Sequence, residues 1–201
     1  MNAVEQAIPA IGQAYGGGFV TGITRDPETG ERHLWITAGA AHELEGRWGE
    51  FGKKIQGADS HTNSRANTEA MAAAGSELAK QVLALEIGGY SDWAIPARDV
   101  QELQYRHFKP TSEANYCWNR DGDNPNSEPV GLLYTEESPG QTVHEVFRAG
   151  APEAFQRAWY WSSSQRSANL AFLMHFGVGT QDGFGKVLEL RVRPVRSEVI
   201  Q

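Results

Sequence analysis

Residues 158–172 read AWYWSSSQRSANLAF, so three aromatic residues directly precede three serines. Side chains alternate between the two faces of a strand, which places Trp159 and Trp161 on one face and Tyr160 on the other. Burying one tryptophan stabilises a fold by about 2–3 kcal/mol. We therefore predict a strand here, with at least one tryptophan face in the core.

The three serines, 162–164, are predicted to end this strand, with their hydroxyl groups bonding the backbone of a turn. Beyond Gln165 the chain presents side chains outward, while Phe176 and the Val192/Val195 region anchor it from below. A serine nucleophile is the other interpretation of WSSS, but the sequence has no G-x-S-x-G turn and its six histidines lie in no catalytic signature. We therefore predict no catalytic residue.

The composition suits one domain, or one domain with a small appendage. The chain has 201 residues, 40% of them hydrophobic, with six tryptophans and 22 glycines, which indicates a sizeable core and many turns. Because no run of about 18 apolar residues occurs, we predict no membrane insertion. The first residues, MNAVEQAIPAIGQ, lack the basic and apolar parts of a signal peptide.

Charge argues against a nucleic-acid partner. The net charge is −7, whereas a protein that follows phosphates shows a concentrated basic face. RVRPVR, residues 191–196, is the most basic segment, and its alternating arginines are typical of the solvent face of a strand. The single cysteine, Cys117, excludes an internal disulfide and a multi-cysteine zinc cluster.

The first third of the chain predicts a hairpin and a loop. Residues 17–39, GGFVTGITRDPETGERHLWITAG, hold two β-prone runs around a turn rich in Asp, Pro and Gly. Residues 40–66 carry glycine and charge without a steady period, which indicates a loop. We divide the chain into an N-terminal hairpin and loop (1–66), part of or appended to the domain, and a main domain (67–201).

Two helices are predicted next. The first begins near Asn67 or Thr68 and ends at the glycine pair 88–89. The second has Pro96 at its first position and ends before Pro110. Apolar residues recur at helical spacing in both. They are Met71, Ala74, Leu78, Val82 and Leu85 in the first helix, and Val100, Leu103 and Phe108 in the second.

Strand-forming segments dominate the C-terminal half. Residues 158–162, 170–176 and 187–195 are predicted strands, and residues 142–148 a short third helix. Helices that come early and strands that come late favour an α+β fold with an antiparallel sheet closed by the last strand.

The polar segment RDGDNPNSEP, residues 120–129, crowds five oxygen-bearing side chains together, as calcium sites do. No glycine follows Pro125 as an EF-hand requires, so a turn built by Asx side chains is the simpler interpretation. The glycine-rich segments lack the spacing of phosphate loops. We predict no metal and no cofactor. The five side chains are those of Asp121, Asp123, Asn124, Asn126 and Glu128.

Three segments in this order resemble a domain-of-unknown-function family that includes the C-terminal domain of the Legionella collagen-like adhesin. They are IGGYSDWAIPARDVQELQYRHF (87–108), AWYWSSSQ (158–165) and LELRVRPVR (188–196). The likeness covers roughly residues 67–196. The segment RHFKPTSEANYCWNRDGDNPNS (106–127) is most similar to phage and prophage members.

The resemblance implies a C-type-lectin-like fold, in which two main helices pack on a twisted antiparallel sheet with long loops and the terminal strands lie close together. Some lectin-like phage proteins vary surface residues on a fixed scaffold near the C-terminus, where residues 165–186 lie. The candidate ligand-binding residues in that region are Arg166, Asn169, Leu170, Phe172, Met174, Gln181 and Phe184.

These residue types suit an interface, because aromatic, Met and Arg side chains anchor partners and Asn and Gln add adaptable hydrogen bonds. Leu170, Phe172 and Met174 share a parity, however, and are equally consistent with the core face of a strand.

The expected function is non-catalytic recognition by a phage or prophage tail-associated virion protein, made in the host cytoplasm. Its partners are a bacterial surface component (pilus, polysaccharide or outer-membrane protein) and other tail proteins, and a homotrimer suits a tail. One alternative is a structural virion or baseplate component, or a tail-fibre assembly factor, that binds other virion proteins. A third is an enzyme that depends on a residue such as His144, His175 or Ser163.

Overall fold

The computed structural model describes residues 8–201, and within them three α-helices pack against two curled, mainly antiparallel sheets. The helices are α1 (Ser64–Ala73), α2 (Glu77–Leu83) and α3 (Arg98–Phe108). The predicted α+β class is therefore confirmed. In this part of the chain, no helix has the length and apolar character needed to cross a bilayer.

In residues 8–201, ten strands build the two sheets. They are β1 (Ala14–Tyr15), β2 (Gly18–Arg25), β3 (Arg32–Thr37), β4 (Leu44–Arg47), β5 (Ser127–Glu128), β6 (Trp159–Gln165), β7 (Leu170–His175), β8 (Gln181–Gly185), β9 (Glu189–Val192) and β10 (Val195–Ile200).

The first sheet has the order β1-β2-β3-β10, with β5 also paired to β2. Its centre is the predicted N-terminal hairpin, formed by β2 and β3. The last strand, β10, pairs antiparallel with β3, so Val195 lies opposite Thr37 and Ile200 opposite Arg32. The two ends of the described chain therefore meet in one sheet.

The second sheet has the order β4-β9-β6-β7-β8 and contains the aromatic strand. Trp161 is fully buried with Trp48 and Leu173, and Trp159 packs against the same cluster. Tyr160 lies on the opposite face, in a cluster with Phe176. The predicted alternation of β6 is confirmed, and both faces of this sheet are packed.

Helix α3 lies between the two sheets. Val100 and Leu103 pack with Trp35 of the first sheet, while Phe108 belongs to the cluster that covers the Tyr160 face of the second. All three positions predicted to point inward are buried. The helix begins at Arg98 rather than at Pro96, whose carbonyl accepts a hydrogen bond from Ser163 N (2.8 Å) instead.

The prediction of one continuous first helix was wrong. Gly75 adopts a φ of 103°, which ends α1, and the Ser76 side chain caps α2 by accepting a hydrogen bond from Ala79 N (3.3 Å). The apolar stripe nevertheless faces the core, since Met71 and Leu78 are buried on the second sheet.

The predicted start of this helix was also wrong. Asn63 is the N-cap, and its side chain accepts a hydrogen bond from Ala66 N at 2.9 Å. Asn67 and Thr68 instead lie inside the helix and are buried. Their side chains bond neighbouring segments: Asn67 Nδ2 donates to Ser60 O, and Thr68 Oγ1 accepts from Ile95 N.

Three further segments differ from the prediction. Residues 40–66 are not a loose loop, because they contain β4 and the buried side chains of Trp48 and Ile55. Residues 142–148 hold a single 3₁₀ turn at Glu145–Phe147 instead of a helix. Residues 187–195 are not one strand: the chain leaves the second sheet after β9 and enters the first at β10, with Pro194 between them, which lacks an N–H.

The arginines around Pro194 are mostly buried rather than on a solvent face. Arg193 is 1% exposed, and its Nη2 lies 2.7 Å from Glu43 Oε1. Arg196 is 6% exposed and pairs with Asp92 and Glu198, each at 2.7 Å. These arginines therefore hold structure together at the point where the chain changes sheets.

Candidate functional site

The serines of β6 are buried next to the candidate site and anchor the segments around it. Ser164 Oγ donates to Ser60 O (2.6 Å) and accepts from Arg98 N (3.0 Å), while Ser163 Oγ accepts from Asn67 Nδ2 (3.3 Å). The strand continues through all three serines, so the expectation that they end it was wrong. Their hydroxyl groups fix the segment before α1 and the first turn of α3 in place.

A tight turn follows β6 and begins the exposed region. Arg166 N and Ser167 N both donate to Leu170 O, at 2.9 and 3.0 Å. Asn169 is exposed at the tip of the turn, and its carbonyl accepts from Lys186 N at 3.1 Å. The turn is closed by backbone bonds, so its exposed side chains are available to a partner.

Phe172 is the centre of a surface that we call the Phe172 patch. It comprises Phe172, Arg166, Arg98, His61 and Asp182. The guanidinium carbons of Arg98 and Arg166 each lie 5.9 Å from the Phe172 ring centroid, within range of a cation–π interaction. The His61 ring meets the same ring edge-on at 5.4 Å.

Carboxylates hold both arginines of the patch. Arg166 Nη1 lies 3.2 Å from Asp182 Oδ1, and both side chains are about half exposed. Arg98 Nη1 lies 2.8 Å from Asp99 Oδ1, and Asp99 is 1% exposed. The patch therefore presents charged donors and acceptors side by side around an aromatic ring, which suits a polar partner of low net charge.

The histidine of the patch is tuned by its surroundings. Burial of part of the ring lowers the pKa of His61 below its usual value; Arg98 acts in the same direction, while Asp99 and Asp59 oppose both. The imidazole is therefore favoured in its neutral form near pH 7, in which one ring nitrogen donates and the other accepts a hydrogen bond.

Gln181 joins the patch to the polar loop 118–124. Its backbone N donates to Asp121 Oδ1 at 3.0 Å, and its Oε1 accepts from Gly122 N at 3.1 Å. Burial raises the pKa of Asp121, while the backbone N–H groups of Gln181 and Trp118, which donate to its carboxylate, oppose the shift. The Gln181 side chain is therefore occupied by the protein itself, and its role is to position the loop.

Two of the seven candidate residues do not belong to this surface. Met174 is fully buried in the cluster with Tyr160, because its side chain lies under that part of the second sheet. Phe184 is on the opposite face of the sheet and packs on Trp159, with 4.9 Å between ring centroids. The structure brings Arg166, Asn169, Leu170 and Phe172 together around the turn and the first half of β7, with Gln181 in the neighbouring strand.

Three residues of the patch were missed from the sequence. His61 and Arg98 are distant in sequence and reach Phe172 only because the β6 serines fix both segments. Asp182 lies opposite Leu173, so alternation puts it on the other face of the sheet from Phe172; it joins the patch only through its contact with Arg166, which strand periodicity does not predict.

The five oxygen-bearing side chains of residues 120–129 diverge. Asp123 Oδ2 accepts from Arg120 Nε (2.7 Å), Asn126 Nδ2 donates to Asp99, and Glu128 pairs with Arg25 and Arg32. Within residues 8–201, no group of three or more His, Cys, Asp or Glu side chains converges to hold a metal ion. The segment is organised by Asx-type bonds and ion pairs.

A cleft of about 610 Å³ lies elsewhere, between β4, residues 49–55 and the junction of α1 and α2. Its apolar walls include Phe51, Ile55 and Leu78. No residue of the Phe172 patch lines this cleft, and small molecules usually bind in clefts, so the patch suits a macromolecular partner better.

The chain was also compared with known proteins. No protein-family model matches it, and no curated protein matches it.

Proposed function

We propose that this protein is a phage or prophage tail-associated virion protein whose C-type-lectin-like domain binds a bacterial surface component through the Phe172 patch. The carrying observation is the patch itself, in which an aromatic ring is flanked by two arginines that carboxylates hold in place. Aromatic and arginine side chains are the residues that most often anchor interfaces.

The fold supports a scaffold role for the rest of the chain. The last strand pairs with the N-terminal hairpin, and α3 and the buried β6 serines connect both sheets to the patch. This arrangement agrees with the closing strand of the lectin-like family that the sequence resembles. Such a rigid scaffold presents side chains at fixed positions, which lowers the entropic cost of binding.

The alternative is a structural virion component or an assembly factor, and one observation favours it. Large apolar side chains are exposed along residues 116–133, and contiguous exposed apolar groups mark protein–protein contacts. They are Tyr116 (57% exposed), Trp118 (55%), Val130 (60%), Leu132 (75%) and Leu133 (50%).

Binding of purified, labelled protein to a panel of intact bacteria tests the proposal. Phe172→Ala and Arg166→Ala remove the ring and one of its flanking charges, so we expect each to weaken selective cell binding by at least about tenfold, the equivalent of about 1.4 kcal/mol. Arg47→Ala is the matched control, because Arg47 is an exposed arginine paired with Glu189 at 3.3 Å and lies in β4.

Circular dichroism and thermal melting first establish that each variant is folded. Equal binding by wild type and both patch variants would move the site away from Phe172. If neither the wild type nor any variant binds cells, the structural alternative is favoured. The assay should therefore include a multivalent display of the protein, because avidity reveals weak binding sites.

A further inference from the structure

Strand β8 forms an open edge of the second sheet. It pairs with β7 on one side, and within residues 8–201 no strand pairs with its other side. Exposed strand edges present unpaired N–H and C=O groups and are templates for another strand. Many proteins protect such an edge with several charged residues, proline or a bulge, whereas β8 reads QDGFG, and its one charged side chain, that of Asp182, is paired with Arg166.

The hydrogen bonds identify which backbone groups face outward. His175 N donates to Thr180 O and Lys186 N donates to Asn169 O, at 2.9 and 3.1 Å. Because antiparallel residues alternate between bonding the neighbour and facing away from it, the residues between Thr180 and Lys186 that face outward are Gln181, Gly183 and Gly185. The bond from Gln181 N to the loop residue Asp121 agrees with this assignment.

Four of these outward backbone groups make no bond to another segment of the described chain. Gly183 O, Gln181 O and Gly185 N have no hydrogen-bond partner in the described part of the chain. Gly183 N donates to Asp182 Oδ1 at 2.7 Å, but that carboxylate is half exposed and can rotate away. An antiparallel strand would therefore gain two bonds at Gly183 and one each at Gln181 and Gly185.

The glycines of β8 support the same conclusion. They lie opposite Phe172 and Leu170, so no β8 side chain covers these two residues. A Cβ at Gly183 would lie 2.7 Å from Arg166 Cδ, whereas one at Gly185 would meet nothing within 4 Å, and Gly185 has no positive φ. Nothing within the fold requires glycine at 185, and glycine inside a strand often marks the approach of another backbone.

We propose that the β8 edge binds an extended strand of a protein on the bacterial surface, which adds to the second sheet beside the Phe172 patch. The inference rests on the proposed receptor-binding function and names the class of receptor. Alternating N–H and C=O groups recognise a polypeptide backbone. A partner side chain above Gly183 would meet the Arg166 side chain of the Phe172 patch, and an apolar one above Gly185 would have free space toward Leu170.

Gly185→Pro and Gly185→Ala form a matched pair that tests this edge. Proline is tolerated on an edge strand where its nitrogen faces solvent, but it removes the N–H and puts its ring in the path of a partner strand. Alanine keeps the N–H and has free space. We expect Gly185→Ala to bind cells within about threefold of wild type and Gly185→Pro to bind at least about tenfold more weakly.

Treatment of the cells gives a readout that does not depend on how well Gly185→Pro folds. Proteinase K digestion of the cell surface should abolish binding of the wild type, while periodate oxidation of surface glycans should leave it intact. Melting of both variants and light scattering of the wild type and Gly185→Pro complete the experiment, and the two proteins are expected to have the same oligomeric state.

The outcomes separate this inference from the proposed function. Loss of binding after periodate but not after proteinase K, or equal binding by folded Gly185→Pro, overturns the strand receptor and leaves the receptor function standing. A wild-type dimer that Gly185→Pro converts to a monomer assigns the edge to a second copy and overturns the inference. A wild type that binds no cell overturns both.

Discussion

The two halves of residues 159–185 are held in different ways. From Tyr160 to Gln165 the chain is buried and its hydrogen bonds reach distant segments, such as Trp48 Nε1 to Ser162 O (2.8 Å) and Ser164 Oγ to Ser60 O (2.6 Å). From Arg166 onward several side chains are exposed and bond within the same segment, such as Arg166 to Asp182, whereas Ala171, Leu173 and Met174 belong to the core. The first half fixes the geometry, and the exposed side chains of the second half can change at small cost in stability.

Truncating an aromatic residue in each half should give the largest contrast. Trp161→Ala opens a cavity beside Trp48 and leaves Gly46 O without its indole donor. We therefore expect it to lower the free energy of unfolding by about 3–5 kcal/mol. Phe172→Ala, at a half-buried position, should cost about 1–2 kcal/mol. Urea unfolding followed by fluorescence measures both.

Equal destabilisation by the two substitutions would show that the two halves do not differ in how they are held. It would mean that Phe172 is a core residue whose exposed edge has no separate role, and the patch would lose its main candidate for a contact.

A smaller, pH-dependent effect should come from Lys186, which ties the end of β8 to the scaffold. Its Nζ donates to Lys53 O (2.9 Å) and Gln165 Oε1 (3.1 Å) above the Trp48 ring, and burial lowers its pKa from 10.5 to about 8. Between those pH values the unfolded chain binds more protons than the folded one, so the free energy of unfolding rises with pH.

Chemical denaturation at pH 7.5, 8.5 and 9.5 checks this sign. The wild type should gain roughly 1–3 kcal/mol over this range relative to Lys186→Met, which has no charge to lose. Lys80→Met is the control, because Lys80 is exposed and pairs with Glu77, and it should keep the wild-type dependence on pH. Parallel curves for the wild type and Lys186→Met would show that this lysine is solvated in the folded protein.

The smallest effects are expected at exposed ion pairs in both regions. Arg166→Ala and Arg47→Ala each remove one surface pair and should change the free energy of unfolding by less than about 1 kcal/mol. Thermal melting of the two variants side by side measures this. A large loss for Arg166→Ala alone would make Arg166 part of the scaffold, through its packing on Phe172 and Gly183.

Local patterns in the sequence predicted the elements whose burial follows a simple period. The hairpin at 17–39, the inward residues of α3 and the alternation of Trp159, Tyr160 and Trp161 follow from side-chain spacing alone. Gly75 was overlooked because a stripe of apolar residues continues across it, although its positive φ interrupts the helix.

The rest depended on contacts between distant segments. Apolar residues do not recur at a regular spacing in residues 40–66, yet Trp48 is buried, because it packs with Trp161 and its indole N–H donates to Ser162 O. The alternation of arginines in residues 191–196 predicted that Arg193 is exposed. It is buried instead, because Glu43, 150 residues away in the sequence, pairs with it in the interior. His61 and Arg98 joined the site for the same reason, since tertiary hydrogen bonds to Ser164 and its neighbours decide where they lie.

Recognition through the Phe172 patch is tested most directly by a binding titration of folded Phe172→Ala, Arg47→Ala and wild type against one bacterial strain that the wild type recognises. Phe172→Ala should stay folded and lose at least about tenfold in affinity, while Arg47→Ala should bind as the wild type does. Full binding by folded Phe172→Ala would rule out recognition through the Phe172 patch.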